Sequence, residues 1–368
     1  MVTKVLAVRL DSVGDVLLTG PALRLLRAGL PADGGLDLLA SPAGAAAGRL
    51  LPEVDDVLVL DPPWDGQHPA AVDPVEITAL IDQLRDRRYD EVVVFTSYHQ
   101  SPLPFALVAR LAGVPRVVGT SDAYAGTLLD IRHRRRSAEP GNVIPDDDGG
   151  PGGGHEVTAA LRLVEAIGRT VDSGADTRLA VRRPLPDVTD LLGEVTNRPY
   201  VVVHPGASVP SRAASPTRIR GYVAALLDDG WSVVITGSPL EKHLTAAVCR
   251  PGAVDLGGRT DLAELAAVLD SAACAVVGNT GPAHLAAAVG TPVVSLFAPV
   301  VPAERWAPWG VPSVVLGDQN SPCRLSRART CPVPGHPCLD TIEAADVVAA
   351  VHRLVDTRTA AGLESVGL

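Results

Sequence analysis

The sequence predicts an α/β protein built from two parallel β-sheets. Short apolar runs alternate with helical patterns along almost the whole chain. Hydrophobic residues make up 46% of the chain and aromatic residues only 3%, so the cores must consist of small aliphatic side chains, which suit buried parallel strands covered by helices. Because 368 residues exceed the usual limit of a single core, we expect two domains.

The first half of the chain alternates strands and helices as a β-α-β sheet does. We predict strands at residues 5–8, 57–60, 92–95 and 116–119, and helices at 15–28, 76–88 and 104–112. Residues 132–154 are too rich in Pro, Gly and charge to bury anything and predict a loop, which a helix at 155–168 follows. The polar, proline-rich stretch 182–198 predicts the linker, so the first domain spans residues 1–185.

The second half restarts the same alternation. We predict strands at residues 200–204, 232–236, 253–256, 275–278 and 293–297, and helices at 217–229, 240–249, 261–269 and 282–289. The second domain then spans residues 197–345, and a C-terminal helix and tail occupy 346–368. Open parallel sheets bind ligands at the carboxyl ends of their strands, so we expect the active site in a cleft between the two halves.

Charge and composition exclude several classes of function. The net charge of -10 gives no long-range attraction for polyanions, which argues against nucleic acid as a partner. The apolar run at the N-terminus is too short for a signal peptide or a membrane span. We therefore expect a cytoplasmic protein with at most peripheral membrane contact.

Three cysteines lie close together in a proline-rich segment near the C-terminus. Cys323, Cys331 and Cys338 have His336 nearby, and such a set could bind zinc. The spacings lack the CxxC pairs that make a zinc site convincing, so free or packed thiols are favoured. We predict no metal site.

The first candidate site follows the N-terminal strand, in VRLDSVGDVLLTGPAL. Gly14 allows a close backbone approach, and Asp15 at the helix start is favoured in its ionised form by the helix dipole. Asp15 could act as a base. Alternatively Asp11, Ser12 or Asp15 simply caps the helix, which is the commonest use of such residues.

The second candidate site is the segment VVVHPGASVPSRAASP. A strand delivers His204, Gly206 and Ser208 to the edge of the sheet, and Arg212 follows in the loop before the next helix. Backbone N–H groups, hydroxyls and a guanidinium are suited to binding a phosphate. The alternative is an ordinary connection with Arg212 in solvent.

The third candidate site, VITGSPLEKHLTAAV, places Glu241 in the first turn of a helix. A carboxylate there can accept hydrogen bonds from ribose or sugar hydroxyls, or it can be an acid that the helix dipole favours. None of the strand-to-helix turns carries GxGxxG, which lowers the odds of a dinucleotide site of the usual dehydrogenase kind.

The fourth candidate site is the turn GNTGP at residues 278–282, which leads directly into an alanine-rich helix. The N–H groups of Thr280, Gly281 and Ala283 can point out of the helix N-terminus, and His284 in the first turn can add a donor. Such a turn can bind an anion. A diphosphate suits it better than a carboxylate because other basic groups converge on the same edge.

These four stretches, in this order, resemble glycosyltransferase family 9, the ADP-heptose:lipopolysaccharide heptosyltransferase family. The segment ERWAPWG and the cysteine-bearing tail are also similar to that family. The resemblance implies a GT-B fold, with two Rossmann-like parallel-sheet domains facing a central cleft. The N-terminal domain would bind the acceptor and the C-terminal domain the nucleotide-sugar donor, for inverting and metal-independent glycosyl transfer.

The resemblance also implies a role for each site residue. Asp15 matches the catalytic base, Arg212 the basic group that stabilises the leaving diphosphate, and Glu241 the carboxylate that binds the ribose. The other expected donor-binding residues are Gly14, His204, Gly206, Ser208, Asn279, Thr280, Gly281 and His284. No cofactor is implied beyond the nucleotide-diphosphate sugar as co-substrate.

Two departures from the family pattern put the donor preference in doubt. Asn279 stands where many members have an acidic residue, and Ala214-Ser215 stands where many have Trp-Pro. The acceptor is open among a glycan such as lipopolysaccharide core, a lipid-linked molecule and a small molecule. The alternatives are a GT-B transferase or epimerase with another nucleotide sugar, and a non-catalytic nucleotide-sugar-binding protein.

Overall fold

The structure of the protein is a computed structural model that describes residues 2–66, 69–97, 99–134, 154–170 and 176–366, with the backbone alone over 358–366. The chain divides into two compact units, Met1–Thr177 and Arg178–Leu368. Most of the loop expected at 132–154 lies outside the described residues, and its first two residues, Arg132 and His133, belong to a strand instead.

The first unit is a parallel sheet flanked by helices. Its strands run in the order β3-β2-β1-β4-β5-β6, and every neighbouring pair is parallel. The strands are β1 (Lys4–Arg9), β2 (Gly35–Ala40), β3 (Val57–Val59), β4 (Glu91–Val94), β5 (Arg116–Thr120) and β6 (Ile131–His133). The helices are α1 (Val13–Ala28), α2 (Ala45–Leu50), α3 (Pro74–Arg87), α4 (Leu103–Leu111) and α5 (Glu156–Glu165).

The second unit repeats this plan with the order β12-β11-β10-β7-β8-β9, again all parallel. Its strands are β7 (Tyr200–His204), β8 (Ser232–Ile235), β9 (Ala253–Asp255), β10 (Cys274–Gly278), β11 (Val293–Leu296) and β12 (Ser313–Leu316). Its helices are α6 (Thr189–Leu192), α7 (Pro216–Asp228), α8 (Lys242–Val248), α9 (Leu262–Asp270), α10 (Gly281–Ala288), α11 (Ala303–Trp306), α12 (Pro337–Asp340) and α13 (Ala344–Val366). The predicted α/β class with two Rossmann-like parallel sheets is confirmed.

Each sheet has a point where the chain reverses its direction of strand addition. In the first unit it lies between β1 and β4, and in the second between β7 and β10. The loops that leave two such strands diverge to opposite faces, so a crevice opens at their carboxyl ends. The residues after β1, β4, β7 and β10 are therefore the ones that the topology places at binding sites.

The boundary between the units differs from the predicted linker. The chain divides after Thr177, and the stretch 182–198 carries α6 and the 3₁₀ turn Gly193–Asn197 within the second unit. The C-terminal helix α13 also belongs to this unit, because it packs against α7 and its residues Val347, Val351 and Leu354 lie in the core. Among the described residues, every helix is too short or too polar to cross a bilayer.

Candidate active site

Asp15 lies in the first turn of α1, immediately after the carboxyl end of β1. Ser12 occupies the N-cap position, and its hydroxyl does not cap the backbone but donates to Oδ2 of Asp15 at 2.8 Å. The other oxygen, Oδ1, lies 3.4 Å from Nη2 of Arg9. The Asp15 side chain keeps 19% of its surface exposed, so a substrate can reach it.

Arg9, the last residue of β1, gathers three carboxylates although its side chain is only 3% exposed. Its Nε lies 2.8 Å from Oδ2 of Asp11, and its Nη2 lies 3.6 Å from Oε2 of Glu156 and donates to Oγ of Ser97 at 2.8 Å. Burial opposes the charge of this guanidinium, but the carboxylates outweigh burial and raise the pKa of Arg9. Arg9 therefore stays cationic in its buried position behind Asp15.

Asp11 links the two loops of the first switch point. Gln100, which follows β4, donates from Nε2 to Oδ1 of Asp11 at 2.5 Å and to Oδ2 of Asp65 at 2.6 Å. Burial raises the pKa of the Asp11 carboxyl to about 7, with Asp15 and Asp65 acting in the same direction against Arg9. Asp11 is therefore the carboxyl group of this cluster that titrates near neutral pH.

The raised pKa makes Asp11 a source of pH-dependent instability. The folded state holds the Asp11 proton up to about pH 7, whereas an unfolded aspartate loses it near its ordinary value of 3.8. The contribution of this group to stability is therefore full below about pH 4 and is lost as pH rises through about 7. We expect Asp11→Asn, which cannot ionise, to gain several degrees in thermal midpoint over the wild type at pH 8.

Calorimetric scans from pH 4.5 to 8 measure this difference. The gap between Asp11→Asn and the wild type should widen with pH and level off above about 7. As a control, Asp82→Asn removes an exposed aspartate of α3 that pairs with Arg85. A gap between Asp11→Asn and the wild type that is constant with pH would show that Asp11 does not carry the raised pKa.

In the second unit, His204 and Glu241 meet at the carboxyl ends of β7 and β8. Nδ1 of His204 lies 3.0 Å from Oγ1 of Thr236, and its Nε2 lies 3.9 Å from Oε2 of Glu241. Burial lowers the pKa of His204, although Glu241 opposes the effect, so the imidazole is neutral at pH 7. His204 is thus a buried, neutral side chain beside the Glu241 carboxylate.

The Glu241 carboxylate is fixed over the backbone of the loop after β7. Its Oε2 accepts the backbone N–H of Ser238 at 2.7 Å, which is the helix-start role that the sequence left open. A Cβ atom on Gly206 would lie only 1.7 Å from Oε1 of Glu241. Only glycine at position 206 leaves room for the Glu241 carboxylate, whose other oxygen accepts the backbone N–H of Ser238.

We expect Gly206→Ala to weaken donor binding by moving Glu241. A methyl group cannot share this space, so the carboxylate must rotate away. The Michaelis constant for the donor should rise on the order of tenfold or more, as expected when a hydrogen bond to a charged group is lost, with a small change in kcat. Gly221→Ala in α7 is the matched control, because a Cβ there meets nothing within 4 Å. Equal kinetics for both variants would show that the donor does not use Glu241.

Arg212 lies beside the GNTGP turn. It ends the 3₁₀ turn Pro210–Arg212, and its carbonyl oxygen lies 2.9 Å from the position that a Cβ on Gly278 would take. The loop after β7 and the turn after β10 therefore touch at the second switch point. Asn279, only 4% exposed, has a buried Nδ2 without a hydrogen-bond partner in the described structure.

Helix α10 begins as the sequence predicted, with one difference. Thr280 is the N-cap in extended conformation, followed by Gly281 and a proline in the first turn. The N–H of Ala283, expected to face an anion, donates instead to the carbonyl of Thr280 at 3.0 Å because the first turn is tight. Two N–H groups remain as candidate donors, those of Thr280 and Gly281. His284 is buried in this helix, with 3% exposure.

The C-terminal segment holds the Arg212 loop in place. Ser211 donates its N–H to the carbonyl of Arg329 at 3.0 Å and its hydroxyl to the carbonyl of Ala328 at 2.5 Å. His336 Nε2 lies 3.1 Å from the carbonyl oxygen of Ser211, and Asp340 accepts the N–H of Ser215 at 2.9 Å. Ser208 is exposed at the surface of the same loop.

The cysteines of that segment contribute to packing. Cys323 and Cys338 are buried in the core of the second unit, and burial raises the pKa of the Cys338 thiol to about 12. His336 is directed at Ser211. Within the described ranges, no group of three or more His, Cys, Asp or Glu side chains is arranged to hold a metal ion.

The structure thus groups the predicted residues in two places. Gly14 and Asp15 lie at the switch point of the first unit, and the predicted donor-binding residues and Arg212 lie around that of the second. Four residues at the first switch point were not predicted as site residues: Arg9, Ser97, Gln100 and Glu156. The loop after β4 was the available signal, because its strand adjoins β1.

Two Rossmann-like parallel-sheet units in one chain fit the GT-B class of glycosyltransferases that the sequence resemblance implies. The chain belongs to glycosyltransferase family 9 (heptosyltransferase), whose family model matches residues 152–336. It is therefore a glycosyltransferase. No curated protein sequence matches the chain closely enough to count as a relative.

Solved structures of similar fold include three bacterial proteins. The chain is 19% identical to Escherichia coli ADP-heptose LPS heptosyltransferase II, with a TM-score of 0.70 over 97% of this chain and 99% of that one. It is 17% identical to a family 9 glycosyltransferase from Veillonella parvula, with a TM-score of 0.71 over 96% of this chain and 97% of that one. It is 20% identical to E. coli heptosyltransferase WaaC with ADP, with a TM-score of 0.63 over 95% of this chain and 97% of that one. At these identities the likeness concerns the fold.

Proposed function

We propose that the protein transfers heptose from ADP-heptose to a hydroxyl of a glycan acceptor, with inversion at the anomeric carbon and without a metal ion. The observation that supports the proposal is the second switch point, where the Arg212 carbonyl lies beside Gly278, just before α10, and Glu241 lies over Gly206 in the loop after β7. Two proteins of the same fold are described as acting on ADP-heptose or as holding ADP.

The donor subsite follows from this group. The diphosphate would bind at the N–H groups of Thr280 and Gly281, where the helix dipole favours negative charge. Arg212 would add a guanidinium to the same anion, and Glu241 Oε1 would accept from ribose hydroxyls. The unpaired Nδ2 of Asn279 offers a further donor beside the diphosphate or the sugar.

The chemistry then needs one base. Asp15 would take the proton of the acceptor hydroxyl while the hydroxyl oxygen bonds to the anomeric carbon. The bond from that carbon to the diphosphate oxygen breaks on the opposite face, which inverts the configuration. The leaving diphosphate keeps the electron pair, and the fixed donors of the second unit would stabilise its growing charge in place of a metal.

The acceptor we propose is lipopolysaccharide core, because family 9 is a heptosyltransferase family and a similar structure carries that description. The reaction would take place in the cytoplasm, with at most peripheral membrane contact. A second candidate function is transfer from another nucleotide sugar. Asn279 favours it, because an amide at this position can donate a hydrogen bond that the acidic residue of many family members cannot, which changes the sugar groups that it can bind.

Calorimetric titration of the full chain with ADP-heptose, UDP-glucose and GDP-mannose, each with and without EDTA, tests the donor and the metal. We expect binding of ADP-heptose alone, with equal affinity in EDTA. Preference for another nucleotide sugar would contradict ADP-heptose as the donor and support the second candidate function. Loss of binding in EDTA would contradict the metal-free subsite, and binding without turnover on any acceptor would point to a binding protein.

A further inference from the structure

The guanidinium of Arg9 occupies an unusual position at the first switch point. It is almost completely buried and faces Asp11, Asp15 and Glu156, from the loop after β1, from α1 and from α5. Buried ion pairs add little stability, because the loss of hydration offsets their attraction. The arrangement is better explained by what it does to the carboxylates.

Arg9 and Ser12 together fix both oxygens of Asp15. Oδ2 accepts from Ser12 at 2.8 Å, and Oδ1 faces Nη2 of Arg9 at 3.4 Å. The same Nη2 is anchored to Ser97 at 2.8 Å. The carboxylate plane is therefore set by one group of its own helix and by one group at the end of β1.

The charges in this cluster are not balanced. One guanidinium faces three carboxylates, and Asp65 adds a fourth acid beside Asp11. The neutral groups Ser97 and Gln100 complete the surroundings of the guanidinium and of Asp11. Arg9 therefore favours the ionised form of Asp15, whereas the neighbouring charge of Glu156 opposes it.

We propose that Arg9 is a positioning residue for the base: it orients the Asp15 carboxylate and favours its ionised form, while the negative charge of Glu156 opposes that effect. The inference rests on the proposed function, in which Asp15 takes the proton of the acceptor. It predicts that two substitutions on the same ion pair change the pH dependence in opposite directions.

The test is the pH profile of kcat/KM with ADP-heptose as donor and a heptose-free lipopolysaccharide core as acceptor. The acid limb of that profile reports the pKa of the base in the free enzyme. Arg9→Gln removes the positive charge, so the limb should move about one pH unit upward, and kcat should fall about tenfold with the donor KM unchanged. Glu156→Gln removes a competing negative charge, so the limb should move about half a unit downward.

Arg85→Gln is the matched control, because Arg85 pairs with Asp82 on the exposed face of α3, and it should keep the wild-type profile. Acid limbs that move in the same direction in both variants, or not at all, would overturn the inference. If Arg9→Gln does not fold, Glu156→Gln decides alone: a downward shift supports the inference and an unchanged limb refutes it.

Asp15→Asn separates this inference from the proposed function. Full activity of Asp15→Asn would show that Asp15 is not the base and would refute the proposed mechanism. If Asp15→Asn is inactive but the acid limbs of Arg9→Gln and Glu156→Gln do not shift, Asp15 remains the proposed base and only the role of Arg9 is refuted.

Discussion

Asp15→Asn should lower kcat by on the order of a hundredfold or more while donor affinity stays nearly unchanged. The amide keeps the shape of the side chain, and its single oxygen can still accept from the Ser12 hydroxyl, but it cannot take a proton from an acceptor hydroxyl. The proposed donor residues lie in the other unit, so calorimetry with the nucleotide sugar should give the wild-type dissociation constant.

The control for Asp15→Asn is another aspartate at a helix start. Asp73 is the N-cap of α3 and accepts the N–H of Val75 at 2.8 Å, away from the switch point. Asp73→Asn changes a helix-start carboxylate without touching the cluster, so kcat should stay at the wild-type value. Equal activity of Asp15→Asn and the wild type would leave Asp15 with a structural role only.

Arg212→Met should have the second large effect. It keeps an unbranched, flexible side chain but removes the charge expected beside the leaving diphosphate. Loss of one preorganised group that stabilises transition-state charge costs about 10²- to 10³-fold in kcat. Donor affinity should fall less, because the charge on the bridging oxygen grows only as the glycosidic bond breaks.

Arg218→Met provides the comparison for Arg212→Met. Arg218 lies six residues later in α7, pairs with Glu343 at 3.3 Å and is 37% exposed, so its substitution removes the same charge together with one exposed ion pair. Single-turnover measurements separate the chemical step from donor binding in both variants. A loss in Arg212→Met that appears wholly in KM would assign Arg212 to ground-state binding instead of to the leaving group.

The apolar runs of the sequence predicted most of the strands, but β2, β6 and β12 were missed. Strand β2 was missed because Asp37 interrupts it, yet this aspartate is buried where Tyr89 donates to it at 2.7 Å and Arg87 at 3.1 Å. The hydroxyl of Tyr89 comes from a residue 52 positions away, which a local pattern cannot show. Strand β12 was missed because it is a four-residue edge strand whose residues are all exposed or half-buried.

The same distinction applies to the candidate site. The turns after β1, β7, β8 and β10 were found because glycines, hydroxyls and charges lie close together in the sequence there. The cluster around Arg9 was missed because its partners Ser97 and Glu156 come from distant segments, the bond to Ser97 spanning 88 positions. The tight first turn of α10, which occupies the N–H of Ala283, depends on backbone detail that residue types do not specify.

The anchoring of the Arg212 loop has a consequence for how the protein is made. The hydroxyl of Ser211 and the N–H of Ser215 bond to groups 117 and 125 positions later in the chain. A nascent chain that has reached only residue 320 already contains β7 to β12 but none of these anchors. Contacts of such long sequence separation form late in folding. Arg212 therefore reaches its final position only after the tail has emerged and docked, and incomplete chains lack the anchored loop that the proposed donor site needs.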